Sequence, residues 1–158
     1  MLINRFTKGV MLFGIICFMF AGLASANEKA ADISKQEAQK KALQHQTYGN
    51  KYDDDGKFKE AIDEYKKSLE YVPEDDATLF NLAVVYLKAN KPIEAAETLE
   101  KLVKILKSDA ESYNLLGMAY RGCRKETEAK KAWEKSLQIN PDQPKVKQMI
   151  NEEVSPKQ

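Results

Sequence analysis

One histidine, two cysteines and one tryptophan are all that this chain of 158 residues holds of those types. It has no Cys/His cluster at metal-ligand spacing and no glycine-rich phosphate loop. His45 stands without a nucleophile beside it in the pattern, so no catalytic constellation is offered. Asp53-Asp54-Asp55-Gly56 touches the calcium-loop pattern and fails it. With Gly56 at loop position 6, positions 1 and 12 are Lys51 and Ile62, and neither is an acidic ligand. The expectation is a chain with no catalytic residues, no metal and no cofactor. A dominant charge is also missing: 25 basic residues face 24 acidic ones. That balance argues against a nucleic-acid partner, whose binding needs a concentrated basic patch.

Long apolar runs are scarce too, with one exception at the start. Val10 to Leu23 is almost wholly apolar, follows Arg5 and Lys8, and is followed by Ala24-Ser25-Ala26. A positive start, an apolar run and small residues in A-x-A spacing make a secretory signal peptide, residues 1–26, cleaved after Ala26. The alternative is a retained inner-membrane anchor, for which the run is somewhat short. Cys17 lies inside the run, and Gly14-Ile15-Ile16 is no lipobox. Export to the bacterial periplasm is the simplest reading, with no membrane insertion after cleavage. Removing Arg5 and Lys8 leaves 23 basic against 24 acidic residues in a mature chain of 132. Cys123 is then its only cysteine. An odd thiol there either pairs with another molecule or is a small residue tucked into a turn.

The chain does have a period of 34. Ala61, Ala95 and Ala129 keep it, as do Tyr52, Tyr86 and Tyr120, and Gly49, Ala83 and Gly117. It divides residues 42–143 into blocks 42–75, 76–109 and 110–143. Within each block, position 8 is small, 11 is tyrosine, 20 is alanine and 24 is large (Tyr65, Leu99, Trp133). Positions 4, 7, 8 and 11 share one face of a first helix; 20, 24 and 27 share one face of a second. Small residues at 8 and 20 let the axes approach, and large ones fill the space between. Breakers fall between the helices at Asp55-Gly56, at Asn90-Lys91-Pro92 and at Gly122. Pro92 suits a first turn; Pro73 and Pro141 end second helices.

These residues resemble the tetratricopeptide repeat: Tyr113, Leu116-Gly117, Tyr120, Ala129, Trp133 and Pro141 match its marks in the third block. The first block departs at His45 and Tyr48, the second at Leu102 and at Lys107 in place of proline. The resemblance implies an all-α fold, a superhelical array of three antiparallel helix pairs with a C-terminal capping helix. Residues 27–41 are read as a polar segment leading into the first helix, which starts near Ser34 on a Ser34/Glu37 capping box. Val146, Met149 and Ile150, with Asp142 and Pro144 as start signals, place the cap at 144–151. Residues 152–158 are expected to be a disordered tail.

Stacked helix pairs curve, and the first helices line the concave side. Positions 5, 9 and 12 form a stripe facing that concavity. It reads Gln46, Asn50, Asp53; Phe80, Val84, Leu87; and Asn114, Met118, Arg121, with Asn81 added from position 6. Apolar groups that their own helix pair does not need, rimmed by polar ones, mark a binding site. Asparagine carries a donor and an acceptor, so Asn50, Asn81 and Asn114 can pair with peptide backbone. The resemblance implies a protein or peptide partner held in this groove. A better-known variant of the family clamps a carboxylate with cations where this chain has Gln46, Glu111 and Leu115; only Asn50 and Asn81 match it. Lys101, Lys104 and Lys107 line one helix face and read as solvated, with Glu97 and Glu100 at i,i+4 spacing. Two functions stay open: a periplasmic scaffold that grips a segment in envelope assembly or secretion, or an architectural subunit of an oligomeric envelope complex using its convex face.

Overall fold

The computed structural model describes residues 31–154. The apolar run, the cleavage site expected after Ala26 and the last four residues lie outside them. The chain divides into two units, Met1–Lys40 and Lys41–Gln158. In the first unit residues 31–40 are helical. Ser34 and Glu37 therefore sit inside a helix and do not cap one.

The second unit is a stack of helices, with no strand among the described residues. The part of helix α1 that lies in this unit covers 41–54. It is followed by α2 (Phe58–Tyr71), α3 (Asp76–Lys88), α4 (Pro92–Ile105), α5 (Ala110–Gly122), α6 (Glu126–Ile139) and α7 (Pro144–Val154). The three pairs α1–α2, α3–α4 and α5–α6 fall on the three sequence blocks, and α7 covers the last. It runs one turn past residue 151, so 152–154 are helical and not tail. No breaker intervenes before Pro156, which disfavours helix at the residue preceding it.

The periodic residues are the core. Ala61, Ala95, Ala129, Leu99 and Trp133 are fully buried, and Tyr65 nearly so. Position 27 adds a second repeating element. Ser68 donates its hydroxyl to the carbonyl of Ala42 (2.8 Å) and Ser136 to that of Ala110 (2.6 Å), so each ties the end of a second helix to the start of its first. Leu102 replaces the hydroxyl by apolar volume and is fully buried. Asp75 and Asp109 cap α3 and α5, accepting from the backbone N–H of Thr78 and Ser112. A side-chain oxygen there satisfies a donor that the first turn leaves unpaired.

The turns correct one expectation. The left-handed residue recurs at block position 15: Gly56 (φ 71°), Asn90 (φ 56°) and Arg124 (φ 60°). Gly122 is still helical. It is glycine because a Cβ there would lie 2.6 Å from Cβ of Pro92, where the end of α5 meets the start of α4. Arg124 accepts a conformation costing L residues about 1–2 kcal/mol, since α6 must start in register with α5.

The departures in block 1 have a common cause. Positions 7 and 10 are buried in the later repeats, as Leu82 and Val85, then Leu116 and Ala119. In repeat 1 they are Tyr48 and Lys51, both exposed. His45 stacks on Tyr71 with ring centroids 5.8 Å apart, and its Nδ1 lies 2.7 Å from Glu64. Burial works against the charge on Glu64, but hydrogen bonds from Lys67 and His45 hold its carboxyl below the ordinary range. Repeat 1 thus presents a polar face where the inner repeats present an apolar one.

Candidate functional site

Successive first helices adjoin, and their contacts assemble the expected stripe. Asn81 on α3 donates through Nδ2 to Oδ1 of Asn50 on α1 (3.0 Å). The same oxygen accepts from the Tyr65 hydroxyl on α2 (2.7 Å). Burial first, then the charges of Asp53 and Asp54, push the Tyr65 phenol up to about 12, so it stays a donor. Both bonds fall on the carbonyl of Asn50, which leaves its Nδ2 amide as the donor this pair can offer. One turn further on, Lys88 of α3 reaches both carboxylate oxygens of Asp53 at 2.8 and 2.7 Å. At the other end Gln46 donates to Asp75 (3.4 Å).

The middle of the stripe is apolar and half-buried. Phe80, Val84 and Leu87 lie on α3, and Phe80 and Leu87 also pack against the core. Position 5 is therefore partly a packing position. On α5, Met118 is 38% exposed. Arg121 is exposed and lays its guanidinium 5.2 Å from the centroid of the Trp133 ring, a cation–π contact. Asn114 is half-buried; its Oδ1 is shut away from solvent and has no hydrogen-bond partner.

Sequence reasoning missed three contributors. Tyr65 was legible as core but also orients Asn50. Lys88 neutralises Asp53 from a neighbouring helix, and nothing in the period signals it. Leu43 is 63% exposed one turn before Gln46 on the same face, and its i−3 spacing could have found it.

His45 belongs to the hydrogen bond and ring stack described above. Asp53 and Asp55 are paired with Lys88 and Lys57. No group of three metal-ligating side chains occurs among the described residues, and no described helix is long and apolar enough to cross a membrane. Cys123 is a free, half-buried thiol beside the end of α5, in a cleft with Pro92, Ile93 and Lys125. The pairs expected between Glu97 and Lys101 and between Glu100 and Lys104 are not closed. Glu100 accepts instead from the Tyr120 hydroxyl of the next repeat (2.9 Å). Burial and that bond push the Tyr120 phenol up to about 12.

Two family models described as tetratricopeptide repeat match the chain, one over residues 54–119 and one over 110–143. RNA polymerase II-associated protein 3 of Homo sapiens is 32% identical over 120 residues, which is 76% of this chain and 18% of that protein. The chain thus spans under a fifth of that relative's length. Among solved structures, the first tetratricopeptide domain of Spaghetti (RPAP3), bound to the HSP90 peptide SRMEEVD, is 30% identical with a TM-score of 0.68. The match covers 73% of this chain and 91% of that one. The crystal structure of MamA protein is 26% identical with a TM-score of 0.70, covering 72% of this chain and 62% of that one.

Proposed function

Since this chain belongs to the tetratricopeptide repeat family, we propose that it is a non-catalytic interaction scaffold. It holds an extended peptide or protein segment in the groove lined by α1, α3 and α5. One observation carries this reading: the half-buried run Phe80, Val84 and Leu87, continued by exposed Met118, is flanked by the Asn50–Asn81 pair. Apolar surface left open beside aligned amide groups suits a ligand that offers side chains and backbone together. The resemblance to a domain that holds a peptide supports it.

Substitution at the groove tests it. Phe80→Ala is expected to weaken binding of the partner segment by about 2 kcal/mol or more, the loss typical of a buried aromatic anchor. Some stability goes too, because Phe80 touches the core, yet the chain remains folded. Asn81→Ala also weakens binding, by about 1–3 kcal/mol if peptide groups are left unpaired. Calorimetric titration alongside thermal melts separates the two effects. If Phe80→Ala unfolds the chain while affinity per folded molecule is unchanged, Phe80 is core and the groove reading fails.

The setting we infer is the bacterial periplasm, in envelope assembly or secretion, from the leader Met1–Ala26 alone. Mass spectrometry of the protein from its native envelope is expected to find Asn27 first. An intact Met1 would point to a membrane anchor.

A further inference from the structure

The charge on the groove bears on what kind of segment enters it, an inference that rests on the groove reading above. The stripe on each first helix extends one turn toward the helix start, through Leu43, Ala77 and Glu111, each three residues before Gln46, Phe80 and Asn114. All three are exposed. Glu111 lies in the first turn of α5, as the exposed Asp76 does in the first turn of α3. Neither forms an ion pair among the described residues, whereas one of the two cations along the stripe does. Lys88 is held by Asp53, and Arg121 lies over Trp133. A cation over a ring keeps its charge, so Arg121 stays positive near the end of α5, while the two carboxylates make the charge negative where α3 and α5 begin.

Asn114 supplies a second, independent observation. It follows Glu111 by one turn on the same face. Its Oδ1 is buried and unpaired, a state that costs about as much as a lost hydrogen bond. Its backbone carbonyl is occupied by the Trp133 indole N–H (3.1 Å), which fixes the main chain but not the amide. Turning that amide about its last torsion toward the groove breaks no bond to another described residue, and a backbone N–H of an incoming segment would give it the donor it lacks.

We propose that the groove selects a neutral-to-basic, internal stretch of extended chain and rejects an acidic carboxy-terminal tail. An apolar side chain of the segment sits on Phe80, Val84 and Met118. A lysine or arginine faces Glu111, and a backbone N–H goes to Oδ1 of Asn114. The peptide SRMEEVD, bound by the similar first domain of Spaghetti, carries two glutamates, an aspartate and a terminal carboxylate. On this chain such a tail would meet Glu111 and Asp76 where α5 and α3 begin, with Arg121 at the far end of α5 as the one stripe cation outside an ion pair, and like charges brought together act against binding.

Fluorescence anisotropy of the full chain with a panel of labelled peptides tests this. The panel shares one apolar centre, is graded from strongly acidic to strongly basic, and includes SRMEEVD with its free carboxylate. Affinity is expected to rise with basic charge, by roughly ten-fold between the extremes at low salt, and the difference should shrink as salt screens it. Glu111→Lys reverses or abolishes the gradient. Asn114→Ala lowers affinity several-fold across the panel and leaves the gradient in place. A flat gradient, or tighter binding of SRMEEVD than of the basic members, overturns the charge inference and leaves the groove reading standing. An Asn114→Ala variant that binds the whole panel like the parent overturns the role of that amide. If no member binds, the groove reading falls and this inference falls with it.

Discussion

Replacing Trp133 by alanine is expected to cost about 3–5 kcal/mol of stability, the range for emptying a large buried aromatic site. The ring is fully buried in a small cluster with Ala129 and Val146. Three separate losses follow. The cavity left between α5 and α6 cannot close, because the helix axes are held by the remaining repeats. The carbonyl of Asn114 loses the indole N–H. Val146, through which α7 is anchored, loses its principal neighbour, so the cap detaches or frays. A thermal melt followed by circular dichroism measures the total, and hydrogen exchange on α7 isolates the third part. A variant that melts like the parent would show that repeat 3 is not organised around this ring.

Gly117→Ala is expected to be the next most damaging change. A Cβ there would lie 2.3 to 2.6 Å from Nε1, Cδ1 and Cε2 of Trp133, and an indole is rigid. The helices of repeat 3 must part, at a cost of about 1–3 kcal/mol, and Gly117→Leu costs more. Gly49 faces the Tyr65 ring in the same way, with a Cβ 2.6 Å from its Cε1. Repeat 2 carries Ala83 opposite Leu99, both fully buried. Aromatic with glycine, and leucine with alanine, are two solutions to one volume. The double variant Gly117→Ala/Trp133→Leu copies the second solution into repeat 3. It is expected to be more stable than Gly117→Ala alone, a coupling that a double-mutant cycle reads directly. Additive losses would mean that positions 8 and 24 do not share the space assigned to them.

Much of the fold was legible because a repeat states its packing rule several times. The alanines at 61, 95 and 129 and the large residues at 65, 99 and 133 stand where the structure buries them. The legible part stops where a position answers to a different neighbour in each repeat. Gly122 reads as a turn and is a contact with Pro92, 30 residues away. Lys107 lacks the proline of the other blocks, yet α4 ends at Ile105, in register with Tyr71 and Ile139. Its end is set by the Asp109 cap of the next helix and by stacking, not by a local breaker. Ser34 and Glu37 have capping-box spacing, but the helix around them has already begun. For the groove, spacing alone put Gln46, Asn50, Phe80, Val84 and Met118 on one stripe. Spacing did not show that Phe80 and Leu87 also touch the core.

The sequence by itself determined the number of helices, their pairing and the residues between them. Those depend on contacts inside one repeat, and three copies of the same contact leave a period that can be read. Only the tertiary structure decided which groups remain unmatched. Asp53 finds Lys88 and Asn50 finds Asn81 across neighbouring pairs, while the side-chain oxygen of Asn114 is left without a partner. Such contacts join helices stacked at a fixed distance and angle. Their outcome depends on where two backbones place their side chains in space, which neither helix carries in its own pattern.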